Sequence, residues 1–293
     1  MCISLDKLES PSSTFLTGWS LGREKLKNDR PDTLKGSYYI NAAFHKDPSL
    51  ECSPTSQPQG LDTSSTTSTT TGTNTKHYDT FPEYTTPNLW PTEALLPGFR
   101  PATTDLCNLI IDTATLVARA CDRFAAENVP EYEHGYLERM VRDSMTTKAR
   151  LLHYFPAPAP TGKAADAPST EPDDDDDWCA THLDHGCLTG LTSAMYIDEA
   201  LCFPSSPTAT PHATPTSTDE GGSNVPLPLP ELQASPDPAA GLYIQSRGGE
   251  VVQVKIPRDF LAFQTGAALE SVTKGRLRAV PVSLSSLYVR WMM

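Results

Sequence analysis

Trp178-Cys179-Ala180-Thr181-His182-Leu183-Asp184-His185-Gly186-Cys187-Leu188-Thr189-Gly190-Leu191 is the stretch whose reading decides the fold. Read as a β-strand, it puts residues i and i+2 on one face, so His182 and Asp184 present an imidazole and a carboxylate side by side. His185 then faces the other way and reads as a supporting or structural residue. An imidazole and a carboxylate are two of the three donors of a facial iron(II) site. Such a site takes two histidines and one carboxylate on one side and leaves its other positions open. The chain must still supply a third donor.

At 293 residues the chain is long enough to bury a sizeable core. It carries 27 prolines, however, and its Ser/Thr/Pro tracts hold too little apolar surface to offset the entropy of ordering. Residues 52–75 and 204–238 therefore read as disordered insertions in one folded domain. The alternating Pro226, Pro228 and Pro230 have the pattern of a polyproline ligand, but an incidental insertion is the stronger reading.

The net charge of −13 argues against nucleic acid or an anionic membrane as partner, since neither would be attracted. Asp173 to Asp177 are consecutive, which gives none of the alternating geometry of a calcium loop, so the run reads as solvated charge. Seven cysteines (Cys2, Cys52, Cys107, Cys121, Cys179, Cys187 and Cys202) show no C-x-x-C spacing, and the odd count fits reduced thiols. With neither a basic-then-apolar leader nor an apolar run of roughly 18 to 20 residues, the sequence predicts a soluble cytoplasmic protein.

Residues 31–41 read as a surface loop leading into a short edge strand after Gly36. The strongest periodicity lies at 103–127, where Leu106, Leu109, Ile110, Leu116, Val117, Ala120 and Phe124 recur at helical spacing. Pro130 follows, and a shorter helix is predicted over 136–148. Both read as helices that buttress a sheet. Residues 149–156 read as a strand, and Ser193 to Phe203 reads as continuing the sheet after the opening stretch. Three strand signals follow at 241–245, 251–257 and 260–266, the first two joined as a hairpin through Arg247-Gly248-Gly249-Glu250. Short β-runs after helices predict a mainly β fold with flanking α, a jelly roll preceded by a helical N-terminal region.

Several pieces in order carry a resemblance. These are His182-x-Asp184-His185-Gly186-x-Leu188-Thr189, Gly241-Leu242-Tyr243-Ile244, Val252-x-Val254-x-Ile256-Pro257 and Gly266-Ala267-Ala268-Leu269-Glu270-Ser271-Val272-Thr273-x-Gly275-Arg276-Leu277-Arg278-Ala279-Val280. Upstream stand Gly18-Trp19-Ser20, Pro31-Asp32-x-x-Lys35-Gly36-Ser37-Tyr38-Tyr39, Asn88-Leu89-Trp90-Pro91 and Leu96-Pro97-Gly98-Phe99-Arg100. Together they resemble the isopenicillin N synthase-like family of Fe(II)/2-oxoglutarate dioxygenases. The resemblance implies a double-stranded β-helix, Fe(II) and 2-oxoglutarate as cofactor and cosubstrate, and oxidation of a small molecule with succinate and CO2 as coproducts. It makes His182 and Asp184 metal ligands, and it suggests Tyr154 as a cosubstrate contact.

The resemblance also implies a second ligating histidine two positions beyond Val280 and an Arg-x-Ser pair further on. Position 282 is Val282, no histidine follows His212, and Arg290 is neither followed by x-Ser nor at the family's spacing. Val282-Ser283 is what the in-frame opening of an unspliced intron encodes. The tail 282–293 therefore reads as a replacement of the family's C-terminus by a retained intron or an alternative transcript, with the last jelly-roll strand incomplete. The predicted domains are an N-terminal region at 1–147, a dioxygenase core at 148–281 and a non-homologous tail. Two functional classes follow: an oxidoreductase that needs its third ligand, or a binding or regulatory protein that keeps the fold without catalysis.

Overall fold

The aromatic and β-branched run after Gly36 forms a strand, as such residues favour a pleated, half-buried surface. The computed structural model of the chain describes residues 5–25, 29–54, 81–155, 179–197, 216–218, 224–226 and 231–285. In it β1 (Gly18–Leu21), β2 (Lys35–Asn41) and β3 (Lys148–Tyr154) form an antiparallel sheet with β2 in the middle. Gly36 is required by its neighbour: a Cβ there would lie 2.3 Å from the Trp19 indole, which crosses the strand at that point. The period-two residues Tyr38, Ile40, Ala42 and Phe44 face Cys107 and Ile111 and make the core, with Trp19, Trp90 and Phe99 packed around it. Phe99 meets the Tyr38 ring edge-on at 5.4 Å and the Trp90 ring at 6.2 Å.

Among the described residues three α-helices complete this unit: α1 (Pro82–Thr85), α2 (Phe99–Asn128) and α3 (Tyr136–Arg142). The two helices predicted at 103–127 and 136–148 are present, the second ending earlier because the chain turns there into β3. The face on which α2 packs differs from the sequence expectation. Its buried residues are Thr103, Cys107, Ile111, Ala114, Thr115, Ala118, Asp122 and Ala125, while Leu106, Leu109, Leu116 and Phe124 are exposed. Small side chains let the helix approach its neighbours closely, so close packing selects a face that hydrophobic periodicity does not mark.

Asp122 is the charged member of that buried face, 4% exposed. Its carboxylate accepts the Tyr132 hydroxyl at 2.6 Å and the N–H groups of Leu137 and Glu138 at 2.9 and 2.8 Å. It thereby satisfies first-turn donors of α3 that have no partner within their own helix. Asp122→Ala is expected to cost about 3 kcal/mol, because a buried and a part-buried N–H group lose a charged acceptor. A fall in the urea midpoint at unchanged slope checks it; a midpoint within error of the parent would refute the capping role.

Lys148, at the start of β3, donates to Asn41 Oδ1 at 2.8 Å and to the Glu83 carbonyl, with the Tyr84 ring centroid 5.5 Å away. Asn41 and Asn88 exchange two further hydrogen bonds, so this cluster ties residues 83–88 to β2. Burial lowers the Lys148 pKa to about 8. Between that value and the unfolded one, near 10.4, the unfolded chain holds more protons, so the contribution of Lys148 to stability rises with pH across this window. Relative to Lys148→Met, the parent should gain on the order of 2 kcal/mol between pH 8 and 10.4, read from paired urea titrations. A flat difference would remove the assignment.

The other unit holds a four-stranded sheet in the order β11-β10-β13-β4. Its strands are β4 (Cys179–His182), β10 (Gly241–Gln245), β11 (Val251–Val254) and β13 (Val282–Ser285). A separate pair joins β5 (Leu188–Thr192) to β12 (Leu261–Thr265), and the short helix α4 (Ala267–Val272) follows β12. The predicted hairpin is present, with β10 and β11 antiparallel. Small pairs join β6 (Tyr196–Ile197) to β9 (Glu231–Leu232) and β7 (Thr216–Thr218) to β8 (Asn224–Pro226). Three of these strands lie inside 204–238, where the sequence predicts an unpacked insertion. The described protein is thus mainly β with a few helices.

Two boundaries differ from expectation. The units divide after Pro158 rather than at 147, because Lys148–Tyr154 pairs along its length with β2. Val282–Ser285 is also no loose tail, since β13 hydrogen-bonds to β10 on one side and β4 on the other and so occupies the sheet interior. The expected gap in the sheet at that point is filled. The 55–75 part of the first insertion, the acidic run 173–177, and Arg290 lie outside the described residues.

Candidate functional site

The opening stretch is two strands rather than one. β4 ends at His182, residues 183–187 turn, and β5 begins at Leu188. The turn still brings the expected pair together: His182 Nε2 stands 3.5 Å from Asp184 Oδ1, with side chains 45% and 24% exposed. The other carboxylate oxygen accepts a hydrogen bond from the Thr189 hydroxyl at the start of β5. His185 is exposed.

The turn is held by the start of α4. The N–H of Gly266 donates to the Cys187 carbonyl at 3.0 Å, Ala267 to Asp184 at 2.7 Å, and Ala268 to His185 and Gly186, both at 3.2 Å. First-turn helix donors lack partners within the helix, and here the loop supplies the acceptors. The approach is close enough to require glycine: a Cβ on Gly266 would lie 2.3 Å from the Gly186 oxygen and 2.8 Å from that of Asp184.

From α4 the chain returns to the site through its own hydrogen bonds. The Thr273 hydroxyl donates to the Leu269 carbonyl at 2.9 Å and its oxygen accepts the Leu277 N–H at 3.1 Å. Glu270 Oε2 accepts the Ala279 N–H at 2.7 Å. The Val280 N–H donates to the Thr265 carbonyl at 3.1 Å and Gln245 N–H to that of Pro281 at 3.0 Å. These bonds fix the register of β13, in which Val282 is the direct partner of His182 on one side and of Ile244 on the other. Directly opposed residues share a face, with Cβ atoms about 4.5 to 5.5 Å apart. The residue facing His182 is thus an isopropyl group, 5% exposed, with no lone pair to donate.

Among the described residues no group of three or more His, Cys, Asp or Glu side chains converges as a metal site would require. The side chains present do not fit a three-donor ion. Tyr154, the suggested cosubstrate contact, ends β3 opposite Lys35 in the other unit. Sequence reasoning missed three supports of the site: the Thr189 hydroxyl on Asp184, the Gly266 approach, and the Glu270–Thr273 brace. All lie in quoted motifs; the Thr189 and Glu270–Thr273 bonds are local, whereas the Gly266 approach joins segments distant in the chain.

No protein-family model matches the sequence, and no curated protein matches it. Solved structures do. One, from Caulobacter crescentus, is described as a 2OG-Fe(II) oxygenase family protein; it matches with a TM-score of 0.52 at 16% identity, over 97% of this chain and 63% of that one. The chain has the 2OG-Fe(II) oxygenase fold. A full-length Neurospora crassa protein, solved in complex with alpha-KG, matches with a TM-score of 0.51 at 17% identity, over 97% of this chain and 61% of its own. The chain therefore spans less than two thirds of these two proteins. No helix among the described residues is long and apolar enough to cross a membrane.

Proposed function

We propose that this chain is a jelly-roll protein of the Fe(II)/2-oxoglutarate dioxygenase type whose metal centre lacks one donor. His182 and Asp184 are its ligand pair, Val282 stands where the third ligand would be, and the chain as written does not oxidise substrate. The observation that carries this reading is the register of β13, which sets Val282 directly across from His182. In the complete centre the reaction class would be oxidation of a small molecule, with 2-oxoglutarate consumed and succinate and CO2 formed. Two donors leave a site that water and other divalent ions contest. The test is anaerobic Fe(II) binding and 2-oxoglutarate-dependent succinate release, compared between this chain and its Val282→His variant. Stoichiometric iron and succinate release by the unaltered chain would overturn the proposal.

A second reading, a binding or regulatory protein that keeps the fold, draws on the quality of β13. The strand pairs on both sides and buries Val282, so this part of the sheet is complete without the donor. It separates from the first reading if Val282→His folds and gains metal yet releases no succinate.

A further inference from the structure

Helix α2 carries two faces of opposite use. Its small-residue face is packed, whereas Leu106, Leu109, Leu116 and Phe124 are 44%, 56%, 58% and 41% exposed, and Ala120 on the same stripe is exposed too. At 3.6 residues per turn these five positions fall within one quadrant or so of the helix, along most of its length. A continuous apolar stripe of this kind marks a contact surface, whereas a scattered exposed leucine does not.

The charges beside the stripe point to what covers it. The side chains of Asp105 and Arg123 are exposed and have no ion pair or hydrogen bond among the described residues, unlike those of Asp112, Arg119 and Glu138 nearby, which are paired. They stand 18 positions apart, five turns or about 27 Å, on the same flank of the helix. Leu106 and Phe124 share that spacing. Both pairs are centred on Ala114–Thr115, the middle of α2. Laid antiparallel against a second α2 about a two-fold axis at that centre, Leu106 meets the partner's Phe124 while Leu116 packs near the axis. Asp105 faces Arg123 of the second copy, and symmetry makes that ion pair twice.

We propose that the exposed stripe of α2 is a self-association surface, paired antiparallel with the same helix of a second copy of this chain. A single helix face is smaller than the roughly 800 Å² per partner of a durable interface, so the dimer is reversible and concentration-dependent.

Sedimentation velocity of the full chain, from low micromolar to submillimolar concentration, should show a monomer–dimer equilibrium. Leu116→Glu should abolish it. Asp105→Arg and Arg123→Asp each set like charges opposite one another twice and should weaken the dimer at least about tenfold. The double exchange restores opposite charges and should return the affinity to near the parent value. All three positions lie at exposed sites, and unchanged circular dichroism confirms that the variants fold. A monomer at every concentration overturns the proposal, whether another part of the chain or solvent then covers the stripe. A dimer indifferent to Leu116→Glu, or single exchanges not rescued by the double one, overturns it as well.

Discussion

Val282→His is expected to turn a weak two-donor site into a metal centre. Loss of a group that merely orients a ligand lowers metal affinity roughly 10–100-fold, so supplying a whole donor should tighten Fe(II) or Co(II) binding by at least about 100-fold. The expectation rests on register. Position 282 directly opposes His182, so an imidazole there faces the same side and sits about 4.5 to 5.5 Å away at Cβ.

The substitution carries its own control. Position 282 is buried, and an unliganded imidazole there should lower stability by roughly 1–3 kcal/mol. Added Co(II) should then raise the melting temperature of this variant and leave the parent nearly unmoved. A Co(II) absorption titration reads the affinity, and His182→Ala in the Val282→His background should cancel the gain. A folded variant that binds no tighter than the parent would remove the site from consideration.

Gly266→Ala should have the largest effect of any single methyl group in this part of the chain. The new Cβ would overlap two backbone oxygens, those of Gly186 and Asp184, and neither can swing aside as a flexible side chain could. The expected cost is about 2–3 kcal/mol of stability. In the Val282→His background it should also reverse most of the gain in metal affinity, because relief of the overlap moves the loop that positions the Asp184 carboxylate. Gly248→Ala serves as control: its nearest neighbour would be the Ser246 hydroxyl at 3.6 Å, an ordinary contact, and stability should hardly change. Equal melting temperatures for the two variants would refute the close-approach argument.

The substitutions divide the site into what local pattern reveals and what it hides. His182 and Asp184 are legible because a two-residue spacing brings their side chains together whether the chain runs as a strand or, as it does, turns after His182. The strands at 241–245 and 251–254 are legible because β-branched runs bracket a glycine turn. The packed face of α2 is not legible, since Ala118 and Ala125 are fully buried by close approach while Leu116 is left outside.

The sequence by itself determined the donor types, the two longer helices, the strand segments near 36–41, 149–154, 241–245, 251–254 and 261–265, and the presence of valine rather than histidine at 282. Tertiary structure decided what that valine means. Position 282 is far along the chain from His182, and the sequence predicts a non-homologous tail there with the last strand incomplete. Instead β13 is an interior strand whose register is set by its hydrogen bonds to β4 and β10. Register is a property of the partners a strand finds across the sheet, and a one-residue slip would reverse every side chain, so no local periodicity can report it.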